Sequence, residues 1–171
     1  MLMVIRQLAA ILAVPCTVAI AIPVWIARRN HVSFTLPRDL AGAGLVVGGG
    51  ALLLVGLALF STSVFYFWTR GRGTLAPWDP PRRFVVEGPY RYVRNPMISG
   101  VIFLLLSEAC ILRSRPHAEW AALFTLINLV YIPFLEEPML VVRFGEPYKR
   151  YTRAVSRFVP RFWPWSQDSP S

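Results

Sequence analysis

The sequence predicts an all-α integral membrane protein of about four transmembrane helices, with a cytoplasmic motif loop and a C-terminal helix at the interface. Three observations carry this. The 171 residues are 55% hydrophobic with mean hydropathy +0.48. Four apolar runs, at residues 8–26, 40–68, 97–112 and 120–135, hold no Lys or Arg and lie near the ~20 residues that cross a bilayer. The net charge of +9, from 18 Lys and Arg against 9 Asp and Glu, falls between and beyond those runs, giving an apolar body with basic edges.

The first run carries Pro15 and Pro23, tolerated in lipid where neighbours satisfy the freed carbonyls. A cleaved signal peptide is the competing reading, since Arg6, the apolar stretch and Ala19-Ile20-Ala21 fit its three regions. The run continues past that point through Trp25 and meets Arg28 and Arg29, which favours a retained span. The second run is longer than one crossing needs and ends in Phe65-Tyr66-Phe67-Trp68, as in an interfacial aromatic belt. Its glycines include a Gly44-Gly48 GxxxG step, which lets helices approach closely, within the bundle or between copies.

The third run is short and starts inside the loop at 87–97; only Glu108 puts a carboxylate within a run. Glu108 is expected to pair with Arg113 or Arg115, and His31 and His117 to lie on the surface of the two outer loops. Cys16 and Cys110 sit in apolar runs without metal or disulfide spacing and pack as small hydrophobes.

Four crossings put both termini and the 69–96 loop on one side. Arg6, the loop arginines 70, 72, 82, 83, 91 and 94, and the tail residues Arg143, Lys149, Arg150, Arg153, Arg157 and Arg161 all fall there, against Arg28, Arg29, Arg38, Arg113 and Arg115 opposite. The positive-inside rule makes that side cytoplasmic, and the expected location is a bacterial inner membrane. The basic excess reads as orientation and attraction to anionic head groups; no nucleic-acid module is visible. The chain reads as one membrane domain over 1–171, with two spans in 1–68, a motif region over 69–161 and a flexible tail over 162–171.

The chemistry is expected in that loop. Residues 71–81 are turn-rich through Gly71, Gly73, Pro77, Pro80 and Pro81, Phe84-Val85-Val86 reads as extended, and Gly88-Pro89 as a turn. Asn95-Pro96 reads as a helix start, with Asn as N-cap and Pro at the first helical position, whose N–H groups can hold a carboxylate or phosphate. A second constellation is Glu136-Glu137-Pro138 followed by Phe144-Gly145 and Tyr148 to Tyr151. Paired carboxylates beside a span are costly where buried, so they either bind a ligand or pair with Arg143 or a loop Arg. Residues 139–151 read as one amphipathic interfacial helix.

Together, Gly88-Pro89-Tyr90-Arg91-Tyr92-Val93-Arg94-Asn95-Pro96 with Gly100, the Glu136-Glu137 pair, and Phe144-Gly145 with Tyr148 and Tyr151 resemble the isoprenylcysteine carboxyl methyltransferase family. That family belongs with the phospholipid methyltransferases. The resemblance covers roughly residues 70–161 and implies an enzyme using S-adenosylmethionine, with no metal.

It further implies that Phe84, Val85 and Tyr90 line the cofactor pocket and that Arg94, Asn95, Pro96, Met97 and Ile98 contact the cofactor. Glu136 would hold the charged methionine end, and Glu137 would support the site or pair with a nearby Arg. Glu136 and Arg94 become the candidate catalytic residues. S-adenosylmethionine brings a sulfonium, an ammonium, a carboxylate and an aromatic base, and the chain offers a carboxylate, a helix N-terminus, Arg and aromatic faces.

Asn95 stands where the eukaryotic enzymes have His, Ile98 where they have Tyr, and Ile132 where they have an Arg thought to meet the prenylcysteine carboxylate. Ser156 replaces the Pro of a Val-Pro-Arg. The expected partners are therefore the lipid bilayer and a lipophilic or small thiol, carboxyl or amine acceptor. Two other classes stand beside this reading: an NADPH-dependent membrane reductase of the steroid 5α-reductase type, and a non-catalytic membrane protein retaining the fold. The Glu pair before Phe144-Gly145 weighs against the first, and the density of intact motif positions against the second.

Overall fold

The computed structural model describes residues 12–70, 84 and 86–166. Expectations placed on Arg6, on 71–81, on Arg72, Arg82 and Arg83 and on Val85 lie outside the described residues, as do those on the side chains of Phe67, Trp68 and Arg70. Every described regular element is helical.

The chain enters through a π-helical stretch, Leu12–Ala21, that runs into α1 (Ile22–Arg29). Pro15 and Pro23 deprive this segment of two donors. A carbonyl five residues before Pro23 is taken by a neighbour instead: Trp120 Nε1 donates to the Val18 oxygen at 3.1 Å. The Pro23 carbonyl accepts from His117 Nε2 at 3.2 Å.

Asp39 opens α2 (Leu40–Arg70) as its cap, with Gly42 N–H donating to Asp39 Oδ2 at 3.1 Å. After the loop come a 3₁₀ turn (Gly88–Arg91) and α3 (Pro96–Leu112), which Arg113 ends in the left-handed region at φ 49°. Next is α4 (Arg115–Tyr131). It does not stop before the glutamates: a π-helical turn, Ile132–Glu136, joins it to α5 (Glu137–Phe144), and Gly145 at φ 62° then turns the chain into α6 (Glu146–Ala154). Pro133 and Pro138 each lack a ladder donor, which loosens the helix here without ending it.

Two helical stretches are long and apolar enough to cross a membrane among the described residues, Leu40–Tyr66 and Arg115–Phe144, and Pro96–Leu112 is a shorter apolar helix. Their outer faces are exposed, with Val47 at 74% and Phe134 at 74%. An apolar surface of this extent belongs against lipid rather than water.

The interior is small. Val101 and Leu105 of α3 meet Ala121 of α4, ringed by Val18, Ala19, Phe60, Trp120 and Phe124. Against α2, α3 packs closely. A Cβ on Gly100 would stand 2.9 Å from Phe60 N and 3.0 Å from Gly56 O, and one on Gly49 2.8 Å from an Ile111 side-chain carbon. The glycines of α2 that permit this contact are Gly49 and Gly56, seven residues apart. Gly44 and Gly48, the expected GxxxG step, have open space around them, so the seam within the chain does not use them.

Three expectations need correction. His117 is buried, because the first turn of α4 packs onto α1; its Nε2 donates to Pro23 and its Nδ1 accepts from Ser114 Oγ at 2.8 Å. Glu108 is not paired as expected: Arg113 reaches the Thr35 carbonyl at 2.8 Å and Arg115 takes Glu119 at 2.8 Å, leaving Glu108 Oε2 buried without a partner. The amphipathic segment over 139–151 is two helices, because Gly145 breaks it.

Candidate functional site

Local conformation at the motif loop follows from its residues. Glu87 is extended and Gly88 takes φ 54° against the Tyr66 ring, where a side chain would meet Tyr66 Cδ2 at 2.6 Å. Only glycine combines that φ with that approach at little cost. Pro89 then sets the 3₁₀ turn, Val93 is fully buried, and Pro96 occupies the first turn of α3. Asn95 sits at the N-cap position without a side-chain cap bond. Its backbone carries the role, its carbonyl accepting from Ser99 N–H and Ser99 Oγ, both at 2.9 Å.

The loop's polar backbone is satisfied by the C-terminal segment, whose part in the site the sequence did not reveal. Arg94 N–H donates to Ser156 O at 2.8 Å and Asn95 N–H to Arg157 O at 3.2 Å; in return Arg161 N–H reaches Tyr92 O at 2.9 Å and Trp165 N–H reaches Arg91 O at 2.8 Å. Arg91 Nε adds a bond to Trp165 O at 2.8 Å, and Ser99 Oγ one to Phe158 O at 3.1 Å. Trp165, assigned by sequence to the tail, also lies edge-on to Tyr151 at 5.4 Å between ring centres.

Under this strap lies an aromatic box. Tyr148, Tyr151 and Val155 are buried among Phe84, Val86, Leu140, Val141, Phe144 and Trp165. Phe84 is its hub, with ring centres 5.5 Å from Phe144, 5.6 Å from Tyr148 and 5.3 Å from Tyr151. Tyr151 fastens the box to the loop through its hydroxyl, which donates to Tyr90 O at 2.6 Å.

The two glutamates, adjacent in sequence, have opposite fates. Arg94 Nη1 stands 2.7 Å from Glu137 Oε1, and Arg157 grips both carboxylate oxygens, Nε to Oε1 and Nη2 to Oε2, each at 2.9 Å. Glu137 is therefore saturated by two guanidiniums, one bidentate. Among the described residues, Glu136 has neither a hydrogen bond nor an ion pair, although it is only partly exposed. Arg94 Nε is buried without an acceptor.

The phenols record the charges. Burial, then the Glu136 charge, holds the Tyr90 hydroxyl well above the usual tyrosine range. Burial does the same for Tyr148, with both glutamates adding and Arg94 opposing. Each stays a neutral donor and aromatic face at ordinary pH. Ile132, one helical turn before Glu136, is fully buried.

The structure thus brings Tyr90, Arg94, Glu136 and Glu137 to one place, with Asn95, Pro96, Met97 and Ile98 at the adjoining start of α3. Phe84 packs inside the aromatic box. Sequence reasoning missed Arg157, Trp165 and Ser99. An Arg 20 residues beyond Glu137 has no periodic relation to it, and the Val-Pro-Arg pattern interrupted at Ser156 is the one local signal beside it.

This arrangement can hold a cation at Glu136, offer backbone N–H groups at the start of α3, and present two neutral phenols. The family model for phospholipid methyltransferases matches residues 45–147, more than half of the 171-residue chain, from within α2 through the loop and past the glutamates. No curated protein and no solved structure matches the chain. With the apolar, lipid-suited helices and the matched motif region in hand, the chain belongs to the phospholipid methyltransferase family, whose members are membrane methyltransferases.

Proposed function

We propose that this protein transfers a methyl group from S-adenosylmethionine to a lipophilic or small thiol, carboxyl or amine acceptor at the membrane. One observation carries the reading: of two neighbouring carboxylates, Glu137 is fully neutralised while Glu136 is left without a counter-charge beside Tyr90 and Tyr148. A part-buried carboxylate without a cation is unfavourable, and the α-ammonium of the cofactor supplies that cation. The cofactor brings a methyl group already activated on a sulfonium. The protein's task is then to bind, orient and exclude water.

In this reading Glu136 receives the ammonium, and the N–H groups of Met97 and Ile98 in the first turn of α3 serve the carboxylate. Tyr90 and Tyr148 offer faces to the positive sulfonium. Arg94 works through Glu137 as a positioning residue. The acceptor reaches the site from the bilayer; the buried apolar Ile132 provides no charge for an anionic acceptor. The four-span arrangement, with loop and termini in the cytoplasm, follows from the basic residues and completes the reading.

The test is thermal stabilisation of detergent-purified protein by S-adenosylhomocysteine and, separately, by NADPH. At about 100 times the dissociation constant the gain is roughly 2.7 kcal/mol. We expect it with the first ligand only, and lost in Glu136→Ala. A well-folded protein that ignores S-adenosylhomocysteine would refute the proposal.

A further inference from the structure

We infer that Arg157 is a positioning residue of the cofactor site, acting through Glu137 to aim Arg94 and to leave Glu136 uncommitted. The inference deepens the proposed function and rests on it. Arg157 lies beyond the family-matched stretch of residues 45–147, on the segment that straps the loop; it is the Arg of the Val-Pro-Arg pattern in which Ser156 replaces the Pro, a position to which the resemblance assigns no role.

Glu137 has two acceptor oxygens, and Arg157 occupies both, at 2.9 Å each, through the fork Nε and Nη2. This bidentate geometry fixes the plane of the carboxylate. Arg94 Nη1 must then approach Oε1 from the remaining side, at 2.7 Å. Arg94 is thereby held away from Glu136, the other carboxylate of the cluster among the described residues. Without Arg157, a single guanidinium would face two adjacent carboxylates and could bridge them. That would cover Glu136 from within.

The backbone supports the same role. Arg94 N–H donates to Ser156 O and Asn95 N–H to Arg157 O, so the residues that present the Arg157 side chain also hold the main chain beneath Arg94. The charges balance as well: Arg94 and Arg157 against Glu136 and Glu137. Simple charge removal and loss of positioning have opposite signs here. Deleting a positive charge near the site should by Coulomb's law tighten binding of S-adenosylmethionine, whose sulfonium gives it a net positive charge that the neutral zwitterion S-adenosylhomocysteine lacks, whereas loss of positioning should weaken both.

The decisive experiment is calorimetric titration of S-adenosylhomocysteine and S-adenosylmethionine into detergent-purified protein, with Arg157→Gln, Arg157→Lys and Arg161→Gln alongside. Arg161 is the control, because it lies on the same strap but its Nη1 bonds to the Ala154 carbonyl. We expect Arg157→Gln to weaken both ligands at least about tenfold, and Arg161→Gln to bind within about twofold of wild type. Arg157→Lys should fall between, since an ammonium keeps the charge but loses the fork.

If Arg157→Gln does not melt cooperatively, Arg157→Lys decides alone. Wild-type affinity in Arg157→Lys would overturn the positioning role, as would unchanged or tighter binding in Arg157→Gln. No binding by the wild type would instead remove the cofactor reading, and this inference with it.

Discussion

Tyr151 donates its hydroxyl hydrogen to the backbone carbonyl of Tyr90 at 2.6 Å, tying α6 to the turn of the motif loop across 61 residues of sequence. The bond sits inside the aromatic box, so the carbonyl has little access to a substitute. Tyr151→Phe should keep the ring contacts with Phe84 and Trp165 and lose only this bond. We expect destabilisation of about 1 kcal/mol, with weaker S-adenosylhomocysteine binding, in thermal unfolding with and without ligand. Unchanged melting in both conditions would show that the bond fastens nothing.

The two glutamates should separate stability from binding. Glu137→Ala leaves Arg94 and Arg157 without their shared partner in a largely buried place. Discounted for the partial exposure of Arg157, the cost is about 2 to 3 kcal/mol. Glu136→Ala removes a part-buried carboxylate without an ion pair, so the ligand-free protein should melt no lower than wild type. Comparing the melting of the two variants decides it, and equal losses would contradict the assignment of roles.

Helix packing gives a cleaner contrast. Gly100→Ala forces a methyl group to 2.9 Å from Phe60 N and 3.0 Å from Gly56 O, both backbone atoms that cannot step aside. We expect a loss of about 1–3 kcal/mol, whereas Gly44→Ala and Gly48→Ala, facing open space, should leave monomer stability unchanged. Denaturant titration of the three variants in detergent reads this directly.

Alkaline pH offers a further check. Tyr90, Tyr148 and Tyr151 all have raised pKa values, with burial the largest cause. A phenol that keeps its proton longer when folded contributes stability that is complete below the ordinary tyrosine value of 10.0. That stability is lost as pH rises above it. Tyr148→Phe should therefore leave unchanged the tyrosinate absorbance gained by folded protein between about pH 9 and 11. A loss of one tyrosine's amplitude in that window would show Tyr148 to be ordinary.

Much of this was legible in the sequence because lipid-facing helices announce themselves by composition. The run at 97–112 anticipated Pro96–Leu112 to one residue, and Pro96 marked its start. The family resemblance, built on 88–96 and on Glu136-Glu137, agrees with the family that matches.

What the sequence hid depended on contacts with no local signature. The fourth run seemed to end at Leu135, since two glutamates and a proline look like a terminus. The helix continues because a π turn absorbs Pro133 and Pro138. His117 looked like a loop residue because nothing in its neighbourhood shows that Pro23, 94 positions away, presents it a carbonyl. The GxxxG step misled for a related reason: spacing shows which glycines share a face, but the facing helix decides which face is used.

That π turn places the carboxylates by arc as well as by chemistry. Each residue of an ordinary α-helix advances the direction of its side chain by about 100°, and a wider turn holds a residue that a regular helix of the same rise would not. Deleting one residue from 132–136 should swing everything after it by roughly that angle and carry Glu137 out of reach of Arg94. In this part of the chain a change of length is a heavier lesion than most changes of letter, and the spacing between Ile132 and Glu137 behaves as a part of the site in its own right.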